Sequence, residues 1–390
     1  YNYTTRGSLH NSLTLSPEET SRLVSGTTNW TIRFKIPQDR IVSMHDLIRG
    51  DIEVNSNTLD DKVIWKRADE LPTYHLANIV DDHLMEISDV IRGAEWLPSL
   101  PLHYLLYEAL GWKDTMPSFA HLSLLLKPDG KGKLSKRDGD KLGFPVFPLE
   151  WVNPETKEVT RGYREDGYYH DAFVNLLALL GWNPGTDQEI FSLEELIKAF
   201  SLDRVIKAGA RFNPEKAKWF NEQYLRMRTP EQLAAEFRLQ VDANIPNNSY
   251  SDAFLTEVCA LIKERSHFSK EFWGISKALF VATKEYDSAD VAKFCKPEMK
   301  SIIEEMRDLI AKEDFKTFGQ GETKEVCCNK IEEILIGRIK EREWKTGSVM
   351  NILRLYFTGN TRGLGISDII YFIGKDEALA RINKGLATSF

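Results

Sequence analysis

Helical spacing takes over this chain at Asp171 and does not yield again to alternation, and that switch restricts the folds open to it. Asp171 is expected to cap a helix in which Phe173, Leu176, Leu177 and Leu180 share one stripe before Gly181 stops it. Ser192 with Glu195 and Thr229 with Gln232 read as capping boxes, the second with Pro230 at the first helical position. Asn213-Pro214 opens a further helix, and the polar stretch Asp242–Asp252 reads as a linker. Helices are predicted near 269–283, 297–312, 323–342, 347–357 and 366–388.

Upstream the pattern is mixed. Trp30, Ile32, Phe34 and Ile36 alternate with Thr31, Arg33 and Lys35, the period of a half-buried strand. Short strands follow at Asp51–Val54 and Lys62–Lys66, so residues 1–72 read as a small β-rich unit. Tyr74–Val80 begins a helix and Val90-Ile91 reads as a short buried strand. Ser99 is expected to cap a helix with Leu102, Leu105, Leu106 and Ala109 in one stripe and Gly111 at its end. Phe119–Leu126 reads as a continuous apolar run, a buried strand. Helix alternating with buried strand predicts a parallel α/β unit. A Lys- and Gly-rich loop at 127–141 and an irregular Pro-rich arm at 142–168 separate this part from the helical half.

Composition narrows the function classes. With 390 residues, 42% hydrophobic and 28% charged, the chain is long enough for two to four domains and too apolar to be disordered. No apolar run reaches the ~18 residues of a membrane helix, so a soluble protein is expected. The start, Tyr1-Asn2-Tyr3-Thr4-Thr5-Arg6, shows no apolar signal core. The four cysteines form no CxxC pair and no zinc spacing. Thiols in a reducing cytoplasm are the expectation. A net charge of −7 argues against nucleic-acid binding, whose usual sign is a basic footprint, yet as a sum it leaves room for a local basic surface.

The sharpest chemical feature is Lys133-Leu134-Ser135-Lys136-Arg137, on a loop with Gly130, Gly132 and Gly139. A triphosphate attacked at its α-phosphorus gathers negative charge on its leaving group. A loop bearing ammonium groups and a hydroxyl can close over those phosphates, although taken alone such a charged loop reads more simply as a solvated surface turn. Tyr74 and Asn78, four apart, share a helix face and offer a phenol and an amide to a polar substrate, unless they form a plain helix surface or a satisfied core pair. Arg92 follows a strand, where a forked cation suits a carboxylate, either a ligand's or that of a structural salt bridge. Asp81, Asp82 and His83 are adjacent on one segment, which suits a structural role better than a metal site, and no metal ligands are assigned.

The loop resembles the KMSKS motif of class I aminoacyl-tRNA synthetases, in the form KLSKR. Pro72-Thr73-Tyr74-His75-Leu76-Ala77-Asn78 and Val90-Ile91-Arg92-Gly93-Ala94-Glu95-Trp96-Leu97 stand upstream of it in the order found in glutamyl-tRNA synthetases. Leu15-Ser16-Pro17-Glu18-Glu19 and Asp46-Leu47-Ile48-Arg49-Gly50 extend the resemblance nearly over the whole chain. It implies a multidomain α/β plus all-α protein, with a partial class I Rossmann-like nucleotide fold followed by α-helical stem-contact and anticodon-binding domains. Residues 1–72 would be the remainder of an acceptor-arm-binding insertion. Residues 73–126 would be the second half of the catalytic fold. Residues 127–229 would hold the KLSKR loop, arm and stem-contact domain, and 230–390 the anticodon-binding helices.

The implied activity is glutamate–tRNA ligation, with ATP and Mg2+ required and L-glutamate and tRNA(Glu) as partners, in a cytoplasmic monomer. Members of the family usually need tRNA bound before they activate glutamate. Tyr74, Asn78, Arg92, Glu95 and Trp96 would bind glutamate. Lys136 and Lys133 would meet ATP phosphate with Ser135 and Arg137 beside them, and Leu125 and Leu126 would lie near adenine. Arg354, Thr361, Arg265 and His267 would meet the anticodon, which is read in such proteins by stacking and edge hydrogen bonds.

The sequence also departs from the family. No HIGH-type motif (His-Ile-Gly-His) occurs in these residues, so Tyr1 is expected to be an internal start and this chain alone to be inactive. A non-catalytic tRNA-binding module is the alternative. A P-loop enzyme is disfavoured because GxxxxGK[ST] is absent.

Overall fold

The computed structural model describes residues 1–389, apart from the side chains of Lys136, Arg137 and Asp140. It forms two compact units, residues 1–166 with 170–220 and residues 167–169 with 221–390.

The first unit opens with α1 (Pro17–Gly26), capped by the Ser16 hydroxyl, and continues through β1 (Thr31–Arg33), β2 (Ile41–Asp46), β3 (Gly50–Asn55), β4 (Val63–Lys66) and β5 (Leu71–Pro72). Then come α2 (Tyr74–Leu84), β6 (Asp89–Gly93), α3 (Leu100–Ala109), β7 (Ser118–Leu122) and β8 (Leu125–Leu126). The main sheet has the order β3-β2-β7-β6. β2 and β3 form an antiparallel hairpin, whereas β2 with β7 and β6 with β7 run parallel. α2 and α3 cover one face through Ile79, Leu100, Leu105, Leu106 and Tyr107, packed on Val42, Met44 and Phe119. β1, β4 and β5 form a separate antiparallel sheet, with Trp30 stacked on Trp65 at 5.8 Å. The buried Arg6–Asp61 bridge (2.6 Å) ties the chain start to this sheet.

Several expectations need correction. The strand predicted at 30–36 shortens to β1, and Ile32 is exposed while Ile36 is buried, because the alternation outruns the pairing. β2 carried no recognised signal, though its Val42, Met44 and Asp46 all face inward. β6 is present but lies at the sheet edge, leaving Ile91 52% exposed rather than buried. Ser99 makes no side-chain cap, because a 3-10 turn over Ala94–Ser99 feeds straight into α3. Ala109 falls on the exposed side of α3. The apolar run 119–126 breaks at Ser123-Leu124, and it is not wholly apolar, since His121 is fully buried within it.

The Lys- and Gly-rich loop ends in a helix, α4 (Lys136–Leu142), and the supposedly irregular arm contains an antiparallel hairpin, β9 (Trp151–Val152) with β10 (Val159–Thr160). Gly162 is required there, since a Cβ would sit 2.1 Å from the Glu150 nitrogen. α5 (His170–Leu179) buries Leu176 but exposes Leu177. α6 (Leu193–Ala199) carries its full Ser192–Glu195 box. β11 (Ala210–Arg211) pairs in parallel with β8, and α7 (Pro214–Met227) begins where Asn213 Oδ1 accepts the N–H groups of Glu215 and Lys216.

The second unit is helical throughout its described residues, as the unbroken spacing predicts. α8 (Pro230–Asn244) has the Thr229–Gln232 box, and it runs past Asp242, which shortens the expected linker. α9 (Asp252–Ile262), α10 (Phe272–Phe280), α11 (Ser288–Phe294), α12 (Met299–Lys312), α13 (Lys324–Glu341), α14 (Thr346–Thr358) and α15 (Ile366–Ser389) follow. They share one core around Phe237, Ile303, Ile331, Ile352 and Tyr356. α15 is interrupted at Gly374, whose φ of 82° a side chain would oppose.

Candidate active site

Open parallel sheets bind ligands beyond the carboxyl ends of their strands. In this sheet that edge carries Arg92 on β6 and His121 on β7, which are paired residues in the parallel register. Arg92 Nε–H donates to His121 Nε2 at 3.0 Å, and the guanidinium carbon lies 5.6 Å from the Phe119 ring centre. The terminal nitrogens Nη1 and Nη2 are shut off from solvent and have no hydrogen-bond partner. Burial pushes the guanidinium pKa below its usual value, an effect that the Tyr74 phenol, Asp82 and Asp46 oppose. The Tyr74 hydroxyl lies close enough to the guanidinium to raise its pKa as a weak hydrogen-bonding neighbour, although neither Nη1 nor Nη2 has a partner of regular hydrogen-bond geometry. Two parallel N–H donors left unpaired in a desolvated cation are the complement of a carboxylate.

α2 supplies the next wall. Its first turn is fixed where the Thr73 hydroxyl donates to the Val63 carbonyl at 2.6 Å. The Tyr74 ring lies 4.7 Å from the Trp96 ring. One turn on, Asn78 Nδ2 donates to Asp82 at 3.1 Å, while the Asn78 carbonyl oxygen is buried without a partner. The spacing of four therefore leaves α2 with one amide acceptor still free. Asp82 is held above the usual carboxylate range by burial. His83 stacks on Trp112 at 3.9 Å and its Nδ1 lies 3.0 Å from the Thr115 hydroxyl, so it points into packing.

The KLSKR loop reaches the same wall. Leu126 and Lys133 form an antiparallel bridge, and the turn between them uses the positive φ of Gly130 and Gly132. Lys133 Nζ meets Glu95 Oε1 at 2.6 Å, and the adjacent Trp96 is the residue against Tyr74. Glu95, Ser123, Leu125, Lys133 and Leu134 line a cavity of about 350 Å³. Leu126 packs on Gly209, where a Cβ would meet its side chain at 2.7 Å. The Ser135 hydroxyl donates to Asp138, which also accepts from the Ser135 N–H (2.9 Å) and pairs with Lys127 (3.0 Å). Those donors, Ser135 first, pull the Asp138 pKa down to about 2. Asp138 was not singled out in the sequence, although a serine followed by an aspartate three residues on is a capping signal. The Lys136 and Arg137 side chains lie outside the described residues.

The lysine loop, Glu95, Trp96, Tyr74 and Arg92 thus lie in one region of the first unit. Residues 3–219 match the family described as tRNA synthetases class I (E and Q), catalytic domain. The chain belongs to this class I tRNA synthetase family. Residues 228–386 match an anticodon binding domain. The glutamate–tRNA ligase of Bacteroides thetaiotaomicron is 48% identical over 387 residues, covering 99% of this chain and 74% of that protein. The glutamate–tRNA ligase of Phocaeicola vulgatus is 49% identical over the same length. A crystal structure of a glutamate tRNA ligase from Elizabethkingia meningosepticum, in complex with its amino acid, superposes with a TM-score of 0.90 at 46% identity. It covers 100% of this chain and 74% of the other.

Three of the synthetase's four expected anticodon residues meet around one loop of the second unit, residues 358–364. Arg354 Nε–H donates to the Leu364 carbonyl at 3.1 Å, and Arg265 Nη1 donates to the Gly363 carbonyl at 3.1 Å. Thr361 donates from both its backbone N–H and its hydroxyl to Asp290, each at 3.0 Å. Burial and then the nearby Arg265 lower the Arg354 pKa. His267 is held elsewhere, its Nδ1 2.9 Å from Glu222. Asp290 was missed in the sequence; it lies in α11, itself not predicted.

Proposed function

We propose that this synthetase joins L-glutamate to tRNA(Glu) in two steps driven by ATP. The carrying observation is Arg92, whose two buried, unpaired terminal nitrogens ask for a planar anion. In the first step an oxygen of the glutamate α-carboxylate attacks the α-phosphorus. The bond to the bridging oxygen breaks and pyrophosphate leaves. In the second step the terminal ribose hydroxyl of the tRNA attacks the carbonyl of glutamyl-adenylate. AMP leaves and the hydroxyl proton passes to solvent.

The residues position and stabilise rather than form covalent bonds. Arg92 would pair with the substrate carboxylate. The free carbonyl oxygen of Asn78 would accept from the ammonium group, with Tyr74 and Trp96 closing the wall. Leu125 and Leu126 would flank adenine. Lys133 and Lys136 would take up phosphate charge, with Ser135 and Arg137 on the same loop. Lys133 has first to leave Glu95. An exposed pair of this kind is worth only about 0–1 kcal/mol, so the phosphates can compete for it.

Mg2+ is assigned as the counterion of ATP. Among the described residues no group of three His, Cys, Asp or Glu side chains is placed to hold a resident ion. Arg354, Thr361, Arg265 and His267 are assigned to the anticodon, and residues 1–72 to the acceptor arm. A cytoplasmic monomer is proposed, and no helix among the described residues is long and apolar enough to cross a membrane. The ligase reading is favoured over a binding module because glutamate–tRNA ligases match across nearly the whole chain.

The test is ATP–pyrophosphate exchange by the full-length protein with tRNA present. Exchange should require glutamate, with glutamine below about one-hundredth of that rate. Exchange indifferent to the amino acid would overturn the assignment.

A further inference from the structure

We propose that Asp46 and His121 are positioning residues that fix the Arg92 fork for the substrate carboxylate. This rests on the reading of Arg92 given above. Asp46, His121 and Arg92 stand at the carboxyl ends of three adjacent strands, β2, β7 and β6. Asp46 and His121 are both 0% exposed, and Asp46 Oδ2 lies 2.5 Å from His121 Nδ1.

Asp46 Oδ1 also accepts the backbone N–H groups of Arg49 (2.8 Å), Ile48 (3.0 Å) and His121 (3.3 Å). Although burial opposes ionisation, these donors together hold the Asp46 carboxyl below its usual range. An ionised Asp46 accepts and cannot donate, so His121 Nδ1 carries the imidazole proton. Nε2 then holds a lone pair, and that is the atom facing Arg92 Nε–H at 3.0 Å. The arginine end requires the same tautomer, because a guanidinium can only donate. Two independent constraints thus set one proton position.

A network serving the core alone would close on itself. This one ends in two unpaired donors, Nη1 and Nη2. Anchoring Nε from behind fixes the direction of those two donors and removes the torsional freedom of the fork before substrate arrives.

Two measurements test the proposal. In the wild-type full-length protein, 15N shifts of His121 should show a protonated Nδ1 and a bare Nε2; the reverse tautomer overturns it. Among variants, His121→Gln places an amide oxygen where Nε2 was, keeping the acceptor for Arg92. His121→Asn instead keeps the donor for Asp46 and loses that acceptor. The glutamate KM should stay within a few-fold in His121→Gln and rise roughly 10- to 100-fold in His121→Asn, with the KM for ATP unchanged in both. The opposite ranking would show a scaffold role only and would overturn the proposal. Arg92→Gln separates the two ideas: if it leaves the glutamate KM unchanged, the Arg92 reading itself fails, whatever His121 does.

Discussion

Arg92→Gln is the most informative single substitution in this site. The glutamine side-chain nitrogen occupies the place of the arginine Nε, so the hydrogen bond to His121 at 3.0 Å can persist. What disappears is the charge and the two buried terminal donors. A hydrogen bond to a charged group contributes about 1.5–3 kcal/mol. Two of them to one carboxylate, discounted because they share a single acceptor group and are not additive, come to about 3–4 kcal/mol. At 1.4 kcal/mol per decade, kcat/KM for glutamate should fall roughly 100- to 1,000-fold, mainly through KM.

Stability should move the other way. The variant no longer buries a charge whose terminal donors are unpaired, so its Tm should equal or exceed that of the wild type. Steady-state exchange kinetics and a thermal melt on the same samples settle the matter. A loss below threefold would refute the reasoning, and so would a fall in Tm that parallels the loss of activity, because that would make Arg92 a structural residue.

Lys136→Ala should reduce glutamate-dependent ATP–pyrophosphate exchange sharply while changing tRNA affinity little; unchanged exchange would remove Lys136 from the mechanism. His103 gives a pH prediction. It is fully buried, its Nε2 lies 3.1 Å from His75 Nδ1, and burial lowers its pKa from the usual value near 6.5 to about 3. The unfolded chain therefore binds a proton that the folded one refuses between those values. The stabilisation is complete above about pH 6.5 and is lost as pH falls towards about 3. Between pH 6.5 and 5 this amounts to about 2 kcal/mol, which His103→Leu should remove from the pH dependence of urea unfolding. Identical slopes for variant and wild type would sink that assignment.

What the sequence shows of this fold follows from how local each signal is. The capping boxes at Ser192 and Thr229 and the helices after residue 269 are written within a few positions, and all appear. β2 escaped notice because its outward residues include Ile41, so its alternation reads as noise until β7 pairs beside it. The hairpin at 151–160 escaped because two-residue strands leave almost no pattern.

The site divides in the same way. Tyr74, Asn78, Arg92 and the KLSKR loop could be singled out from residue type and order. Asp46 and His121 could not be paired from sequence, because 75 positions separate them and only the strand order brings them together. The usable clue was a histidine inside an apolar strand, which needs a buried partner. The Lys133–Glu95 contact likewise depends on a turn closing across 38 positions.

If the pocket beside Arg92 takes glutamate, glutamate is the amino acid that reaches the tRNA. The most direct test is charging of unfractionated tRNA by the full-length protein, with each labelled amino acid offered in turn alongside ATP and Mg2+. An alkali-labile ester should form with glutamate, with glutamine and aspartate near background. An ester formed with a different amino acid, or none with glutamate, would contradict that expectation.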